Sequence, residues 1–243
     1  MPHNSFRRHP STGRFHAIVI VLAIVLVIQT GVAAVWLGNR PSSPTTNTAR
    51  LDRVHDVADR FPPGFKVTQT DTVTVTQAYL DKLHAPMAGA LFIPSECGGE
   101  ANSASPLPLG ATMEGLRGES AQQLVTVAAL ESPAPMSVNP VPPQCAAVAF
   151  VKQGSVRGFS TRIEPPPVKS SLMTQAMRVT ATVTPPGEQP VDTVQYVYSA
   201  LLDNRHVVAV TVTGIPTPGQ PDDADSALAR SLLAAAVDAV RTA

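Results

Sequence analysis

The pattern of apolar and polar positions divides the chain into one long apolar segment and a series of shorter amphipathic ones. Between Ala17 and Leu37 there is no charged residue, and only Gln29 and Thr30 are distinctly polar. A helix of this length rises about 31 Å, which matches a hydrocarbon core of about 30 Å. A helix of a globular domain would carry a polar stripe, which this segment lacks. The pattern predicts a transmembrane helix over residues 17–38.

The flanks of this segment predict its orientation and leave one alternative open. Arg7, Arg8 and Arg14 precede it and no acidic residue does, so the positive-inside rule places residues 1–16 in the cytoplasm and sends the rest of the chain across. A cleaved signal peptide is the alternative, although its apolar region would be shorter and Ala33-Ala34-Val35-Trp36 is a poor cleavage site. We expect an uncleaved signal-anchor in the cell membrane, with an extracytoplasmic C-terminal domain.

The residues after this segment divide into a spacer and a domain. Residues 39–50 are rich in proline, serine and threonine, which is the composition of a linker. Residues 51–243 are enough for one domain with its own core. Thirteen basic side chains against eighteen acidic ones give this domain a net charge of −5. A mildly acidic surface argues against a nucleic-acid partner, which needs a basic face.

Helical periodicity occurs at the two ends of the domain. Apolar residues recur at helical spacing from Leu51 to Phe61, and again from Leu228 to Val240. Asp222, Asp223 and Asp225 precede the second helix, where acids cap free amides and favour the helix dipole. A metal site is the alternative interpretation of these three carboxylates, and capping is favoured over it.

Strand-like alternation fills the region between the two helices. It predicts strands near residues 65–76, 111–117, 122–130, 146–152 and 174–184, with a helical turn at 77–84 and proline-rich loops between. The clearest hairpin joins residues 193–202 to 206–213 through Asp203-Asn204, which suits a tight two-residue turn. We predict an α+β fold in which an antiparallel sheet packs against an N-terminal and a C-terminal helix.

The two cysteines, Cys97 and Cys145, predict a disulfide bond. Thiols tend to oxidise outside the cytoplasm, and two cysteines are the minimum for one bridge. A redox-active pair usually needs a Cys-x-x-Cys spacing, which is absent. A zinc site would need further ligands close by, so we expect no metal.

No sequence motif indicates catalysis or cofactor binding. There is no Gly-x-Ser-x-Gly, no Gly-rich phosphate loop and no His-Glu-x-x-His. The domain histidines, His55, His84 and His206, are far apart in sequence, and each is interpreted as a surface or packing residue. We expect a non-enzymatic protein that needs no cofactor. The competing hypothesis is an envelope hydrolase with a site assembled from distant residues.

Tyr196 and Tyr198 are the candidates for contact with a ligand or partner. Tyrosine favours interfaces because it joins an apolar ring to a polar tip. The two residues alternate on the same face of the predicted hairpin strand. Packing within the sheet is the alternative role for both. The expected partners are the membrane, through residues 17–38, and an envelope lipid, glycan or protein.

Several segments in a fixed order resemble a known group of proteins. They are Arg60-Phe61-Pro62-Pro63-Gly64-Phe65, Pro94-Ser95-Glu96-Cys97, Pro142-Pro143-Gln144-Cys145, Gln195-Tyr196-Val197-Tyr198-Ser199-Ala200 and Asp203-Asn204-Arg205, followed by an Ala-rich terminal helix. The order resembles mycobacterial envelope domains of unknown function on lipoproteins and single-pass proteins. It is more distantly similar to the extracellular sensor domains of mycobacterial receptor kinases. The resemblance implies an α+β fold with a disulfide and, in some relatives, a ligand-binding cleft. It supplies no catalytic residue.

Overall fold

The computed structural model describes residues 49–98, 107–136, 142–166, 168, 172–187, 189–215 and 224–241. A 3₁₀ helix, Leu51–Arg60, begins the domain, and two α-helices follow, α1 (Gln77–His84) and α2 (Ser226–Arg241). The strands are β1 (Lys66–Thr74), β2 (Leu91–Ile93), β3 (Thr112–Glu119), β4 (Gln123–Glu131), β5 (Ala147–Lys152), β6 (Val156–Arg162), β7 (Met173–Val183), β8 (Val191–Leu201) and β9 (His206–Gly214). Short 3₁₀ turns lie at Ala85–Met87, Ser95–Cys97 and Pro143–Cys145.

The nine strands form a single antiparallel sheet in the order β1-β3-β4-β9-β8-β7-β6-β5-β2. Strands β5 to β9 run as a meander, because each pairs with the next along the chain. Strand β9 then pairs with β4, which joins the meander to the β3–β4 hairpin. The long strands β4, β9 and β8 therefore lie in the interior of the sheet, while β1 and the three-residue β2 are its edges.

The N-terminal 3₁₀ helix and α2 pack together on one face of the sheet, which we call the helix face. Val54 and Val57 from the first helix and Leu232 and Leu233 from α2 belong to one buried cluster with the strand residues beneath them. These strand residues alternate along β4, β8 and β9, as half-buried strands require: Val125, Val127, Ala129, Tyr198, Ala200, Val208, Val210 and Val212. The predicted antiparallel sheet packed on an N-terminal and a C-terminal helix is confirmed.

The start of α2 shows the predicted capping. Asp225 Oδ1 accepts hydrogen bonds from the backbone N–H groups of Ala227 and Leu228 at 2.8 and 3.0 Å. These are two of the donors that a helix N-terminus leaves without an intrahelical partner. Asp222 and Asp223 lie outside the described residues. No group of three or more potential metal ligands occurs in the part of the chain that the structure describes.

The two helices do not reach the β2 end of the sheet. On the helix face there, Leu91 is 69% exposed, Ile93 65% and Phe159 44%. Leu91 pairs with Val151 across the β2–β5 ladder, and Ile93 pairs with Ala149, which in turn faces Phe159. In the order of the sheet, the helix layer therefore covers the strands from β1 to β8 and leaves the edge at β2 uncovered.

The structure corrects two details of the predicted elements. The turn between β8 and β9 spans residues 202–205, so the predicted two-residue turn was wrong. The Asp203 carboxylate lengthens the turn, because its Oδ1 accepts from the backbone N–H groups of Arg205 and His206 at 2.7 and 2.9 Å. Strand β6 was not predicted, since its sequence of mixed polar and apolar residues has no clear period of two.

The predicted membrane segment lies outside the structure's scope. Residues 17–38 and the linker up to residue 48 are not among the described residues. Within those that are, no helix combines the length and the apolar character needed to cross a bilayer.

Candidate functional site

The face of the sheet opposite the helices, which we call the second face, carries short side chains on its central strands. Ala128 on β4 is directly opposite Ala209 on β9, and Ser199 on β8 continues the row. Both alanines are partly exposed although their strands are interior. Their helix-face neighbours are all 0% exposed: Val127, Ala129, Val208 and Val210. These side chains are shorter than those around them, and we call this row of Ala128, Ala209 and Ser199 over β4, β9 and β8 the depression.

Two apolar clusters border this depression. On one side α1 packs over the β3–β4 hairpin, where Leu130 contacts Val75 and the partly buried Tyr79 and Leu80. On the other side the turn carrying Met87 packs on β5 to β8 in a cluster that also contains Phe150, Val156, Val179, Val183 and Val197. The second face is therefore packed at both ends, and the depression lies between the two packed regions.

Further along β8 and β9, beyond the buried pair of Val197 and Thr211, three polar residues form what we call the buried polar cluster, Thr193, Gln195 and Thr213. Gln195 on β8 is directly opposite Thr213 on β9, and Thr193 is the next β8 residue on the same face. Directly opposite Cβ atoms in a sheet lie about 5 Å apart, so the three side chains are neighbours. Thr193 is 6% exposed, and Gln195 and Thr213 are each 2% exposed.

The polar atoms of this cluster have no hydrogen-bond partner among the residues that the structure describes. They are Thr193 Oγ1, Thr213 Oγ1 and both Oε1 and Nε2 of Gln195. Among the described residues, six buried side-chain atoms lack a partner, and these four lie together. The other two, His55 Nε2 and Arg241 Nη1, belong to the helix layer. Unpaired buried polar atoms are rare in folded proteins, and four in one place require an explanation.

Burying these atoms without a hydrogen-bond partner costs free energy. A buried polar atom without a partner costs about 1–3 kcal/mol. A hydrogen-bond partner for any of these atoms would therefore stabilise the domain. Residues of this kind, retained at a cost to folding, are expected where binding requires them.

The surroundings of the cluster are apolar and uncharged. Leu124 lies beyond Thr213 on β4, and Val179 lies beyond Gln195 on β7, in one continuous row across the sheet. Leu124 is 5% exposed and Val179 3% exposed. A few convergent polar groups within an apolar lining are the usual composition of a small-molecule site. The cluster is the candidate functional site.

A second polar group lies at the tip of the β8–β9 hairpin, where Asp203 and His206 form a hydrogen-bonded pair. His206 Nδ1 is 2.8 Å from Asp203 Oδ2, and His206 Nε2 is 3.9 Å from a Glu131 carboxylate oxygen. The hydrogen bond with Asp203 raises the pKa of His206 above its usual value, although burial partly opposes this. Burial alone would raise the pKa of Asp203, but the hydrogen bond from His206 lowers it.

This hairpin tip has the contacts of a structural element. Arg205 Nε donates to the Ser132 carbonyl at 2.9 Å, and the Ser132 N–H donates to the Arg205 carbonyl at 2.8 Å. The Met136 N–H donates to the Asn204 carbonyl at 2.7 Å. The tip is thereby fastened to the residues that follow β4. A general base would need its free nitrogen near a nucleophile, whereas the nearest ionic neighbour of His206 Nε2 is Glu131.

The predicted contact residues Tyr196 and Tyr198 lie on the helix face, away from the depression. Their rings stack 6.5 Å apart at 16°. Tyr198 is 0% exposed and its hydroxyl oxygen accepts from Arg230 Nε on α2 at 3.4 Å. Tyr196 is partly buried against the same core. Both therefore pack against the helix-face core, which was the alternative role, and a ligand or partner contact for Tyr196 and Tyr198 stays a prediction.

The predicted disulfide is confirmed. Cys97 and Cys145 are bonded, with Cα atoms 5.4 Å apart and 48 positions apart in sequence. Cys97 follows β2 and Cys145 precedes β5, and these two strands pair with each other. The bond therefore fastens the three-residue edge strand to the sheet. It also secures Phe92, which packs against the Met87 cluster beside the depression.

Sequence patterns missed the buried polar cluster. Thr193 and Gln195 alternate with Val194 and Tyr196 along β8, and Thr211 and Thr213 do the same on β9. Such alternation normally marks one buried and one solvated face. Nothing local distinguishes a polar face in water from one that is buried without partners, so the signal lies in the three-dimensional arrangement alone.

The fold and the site define a class of domain, an antiparallel sheet with helices on one face and a buried polar cluster on the other. The chain belongs to the family described as "Domain of unknown function (DUF5642)", whose sequence model matches residues 50–241. A search of curated proteins found no match.

A solved structure shows the same fold. It is the X-ray structure of an uncharacterised protein from Mycobacterium smegmatis, the Rv0999 ortholog. The similarity has a TM-score of 0.64 at 24% identity and covers 80% of this chain and 98% of the other. The expected resemblance to mycobacterial domains of unknown function is thus confirmed at the level of family and fold.

Proposed function

We propose that this domain is a non-catalytic binding or sensing module of the cell envelope, held at the membrane by the helix predicted at residues 17–38. The observation that carries the proposal is the buried polar cluster, with its four unpaired atoms. A binding site supplies partners for such atoms when its ligand enters. The resemblance to envelope lipoproteins and to receptor-kinase sensor domains favours the same role.

The position of the chain's entry into the domain supports this arrangement. The Arg50 N–H donates to the Val240 carbonyl near the end of α2, at 3.0 Å. The linker therefore joins the domain on the helix side of the sheet. A tether at that point leaves the depression on the opposite side, where an envelope ligand can approach it.

Native mass spectrometry of the full-length chain, extracted from mycobacterial membranes in mild detergent, tests the proposal. We expect a bound small molecule on the wild type that the triple variant Thr193→Val, Gln195→Leu, Thr213→Val no longer carries. Gln175→Leu is the matched control, since Gln175 is also buried on the second face of the sheet but has no unpaired atom among those above. Identical spectra for the wild type and the triple variant would contradict the proposal.

An envelope hydrolase is the second candidate, favoured by the Asp203–His206 pair. An imidazole oriented by a carboxylate is the arrangement that general-base catalysis uses. In a hydrolase, His206→Gln would abolish turnover of ester, peptide or glycan substrates without unfolding the domain. In a binding module this variant changes only stability, and turnover is absent from the wild type as well.

A further inference from the structure

We infer that the uncovered end of the sheet docks the folded domain on the surface of an anionic lipid bilayer. The contact is made by an apolar group that we call the β2-end patch: Leu91, Ile93, Val151 and Phe159. This inference goes beyond the proposed function, which assigns no surface of the folded domain to the membrane. It does not depend on the buried polar cluster.

The β2-end patch is a contiguous apolar surface on the helix face. Leu91 is directly opposite Val151 on β5, and Phe159 on β6 is directly opposite Ala149, the neighbouring β5 residue on this face. Leu91 and Ile93 at the rim are the most exposed, and exposure falls toward Val151 and Phe159 behind them. Because β2 is an edge strand that the helices do not reach, its side chains are accessible to a flat surface. Contiguous exposed apolar side chains of this kind mark interaction sites.

The patch is held in place before any partner arrives. The Cys97–Cys145 bond fastens β2 to β5. Phe92, which lies between the two rim residues, packs against the Met87 cluster on the second face. A surface that is already ordered loses little conformational entropy when it docks.

The strands that carry the patch are basic, whereas the rest of the sheet is acidic. Strands β2, β5, β6 and β7 have four charged residues, all of them basic: Lys152, Arg157, Arg162 and Arg178. The other five strands have two basic residues and five acidic ones. Arg157 and Arg178 are exposed on the same face as the patch, since Arg157 is directly opposite Val151 and Arg178 alternates with the residue opposite Phe159. This end of the sheet therefore favours an anionic partner, although the domain as a whole is acidic.

Exposed apolar side chains flanked by arginines fit a lipid surface. The apolar side chains enter the boundary between headgroups and acyl chains, while the arginines meet anionic headgroups. The depth is limited, because an edge strand presents backbone N–H and C=O groups outward and hydrocarbon offers them no partner. We therefore expect a contact at the headgroup boundary and no deeper insertion.

The predicted tether makes so small a contact sufficient. Arg50 joins the domain on the helix side of the sheet, which is also the side of the patch. Residues 39–50 span at most about 43 Å when fully extended. A tether of this length holds the domain at a high effective concentration beside the bilayer, so that a weak contact is occupied.

A second copy of the chain fits this surface less well. A stable protein–protein interface takes about 20–30 residues from each partner, whereas the apolar patch has four. A twofold axis at the patch would also bring the arginines of both copies together. Like charges placed opposite each other in an interface disfavour association.

Fluorescence of single-tryptophan variants of the full-length chain, at one chain per nanodisc, tests the inference. Trp36→Phe removes the native indole, and Leu91→Trp or Phe159→Trp then introduces one into the patch. Leu109→Trp is the matched control, because Leu109 is also a highly exposed leucine but lies just before β3, toward the other edge of the sheet. In discs of anionic lipid brominated near the headgroups, the patch variants should be quenched at least about twofold and the control should not. Bromines at the bilayer centre should quench less.

A second arm tests the charge requirement in the Leu91→Trp background. Arg157→Gln with Arg178→Gln should lower the docking equilibrium constant about 25-fold, since each arginine near an anionic surface contributes about fivefold. Lys66→Gln with Arg117→Gln removes the same charge from exposed positions on β1 and β3. This control should change docking less than twofold. Neutral phosphatidylcholine discs should weaken docking as the first double variant does.

Four outcomes would overturn the inference. The first is a lack of quenching at both patch positions in variants that circular dichroism shows to be folded. The second is equal quenching of Leu91→Trp and Leu109→Trp, which would reflect proximity imposed by the tether alone. The third is quenching that neutral lipid and the arginine variant leave unchanged. The fourth is a blue-shifted emission without quenching, seen only in discs with two chains, which would identify a second copy as the occupant. The native mass spectra test the proposed function separately from all four.

Discussion

The two faces of the central sheet are built from the same strands and differ in almost every other respect. On β9, Val208, Val210 and Val212 point to the helix face and are 0% exposed. The residues that alternate with them, including Thr211 and Thr213, point to the second face, where the polar atoms of Thr213 and its neighbour Gln195 have no partner among the described residues. The helix face is packed with apolar side chains over its central strands, whereas the second face has apolar clusters at its two ends and short or buried polar side chains between them.

The two faces of the sheet therefore contribute differently to the stability of the fold. The helix face supplies the apolar burial that stabilises the fold, because two helices cover it. The centre of the second face keeps buried polar groups that cost stability. Substitutions in the helix-face core and in the buried polar cluster should therefore have opposite effects on stability.

The largest expected effect concerns the edge of the second face. Replacing both Cys97 and Cys145 by serine should lower the free energy of unfolding by about 4 kcal/mol, from the loop-closure entropy of a 48-residue separation. Hydrogen exchange should accelerate first in β2 and β5, which the bond joins. Equal acceleration in β4 and β9 would show that the disulfide supports the whole sheet and not this edge.

On the helix face, Leu232→Ala should cost about 3 kcal/mol, since a fully buried leucine is truncated and leaves a cavity. Ser231→Ala is the matched control on the same helix, because Ser231 is exposed and surface changes stay within about 0.5 kcal/mol. Chemical denaturation of both variants measures the difference. A cost below about 1 kcal/mol for Leu232→Ala would contradict the assignment of stability to this face.

The sequence predicted the helix face better than the second face. Leu51, Val54 and Val57, and Leu228 and Leu232, have helical spacing, and the Val-rich hairpin has a period of two, so local patterns contain the information for this layer. The second face depends on which strands become neighbours. Thr213 and Gln195 are 18 positions apart, and only the ladder places them side by side. The disulfide was predicted because two cysteines outside the cytoplasm leave a single pairing.

The hairpin tip should make a smaller, pH-dependent contribution. His206→Gln should lower stability by about 1.5 kcal/mol, the lower end for a charged hydrogen bond, because water screens the 37% exposed Asp203 side chain. The pKa of His206 is raised, so its contribution to the free energy of unfolding is complete below about pH 6.5. This contribution is lost as the pH rises through the folded-state pKa of His206. The pKa of Asp203 is lowered from 3.8, so its contribution is present above that pH and is lost on further acidification.

Unfolding measured between pH 3 and pH 9 checks this prediction. The difference in unfolding free energy between wild type and His206→Gln should be greatest at about pH 4–6 and should shrink on both sides of that window. A difference that does not change with pH would show that the variant removes packing and not the ion pair.

The most direct test of the central claim compares two reciprocal substitutions at adjacent positions of β9. In ligand-free full-length chain, Thr213→Val should raise the free energy of unfolding by about 1 kcal/mol, because it removes an unpaired hydroxyl and keeps the side-chain shape. Val212→Thr should lower it by about 1–3 kcal/mol, because it places an unpaired hydroxyl in the helix-face core. A loss of stability in Thr213→Val would contradict the account, since the hydroxyl would then contribute to folding and would not be kept for a ligand.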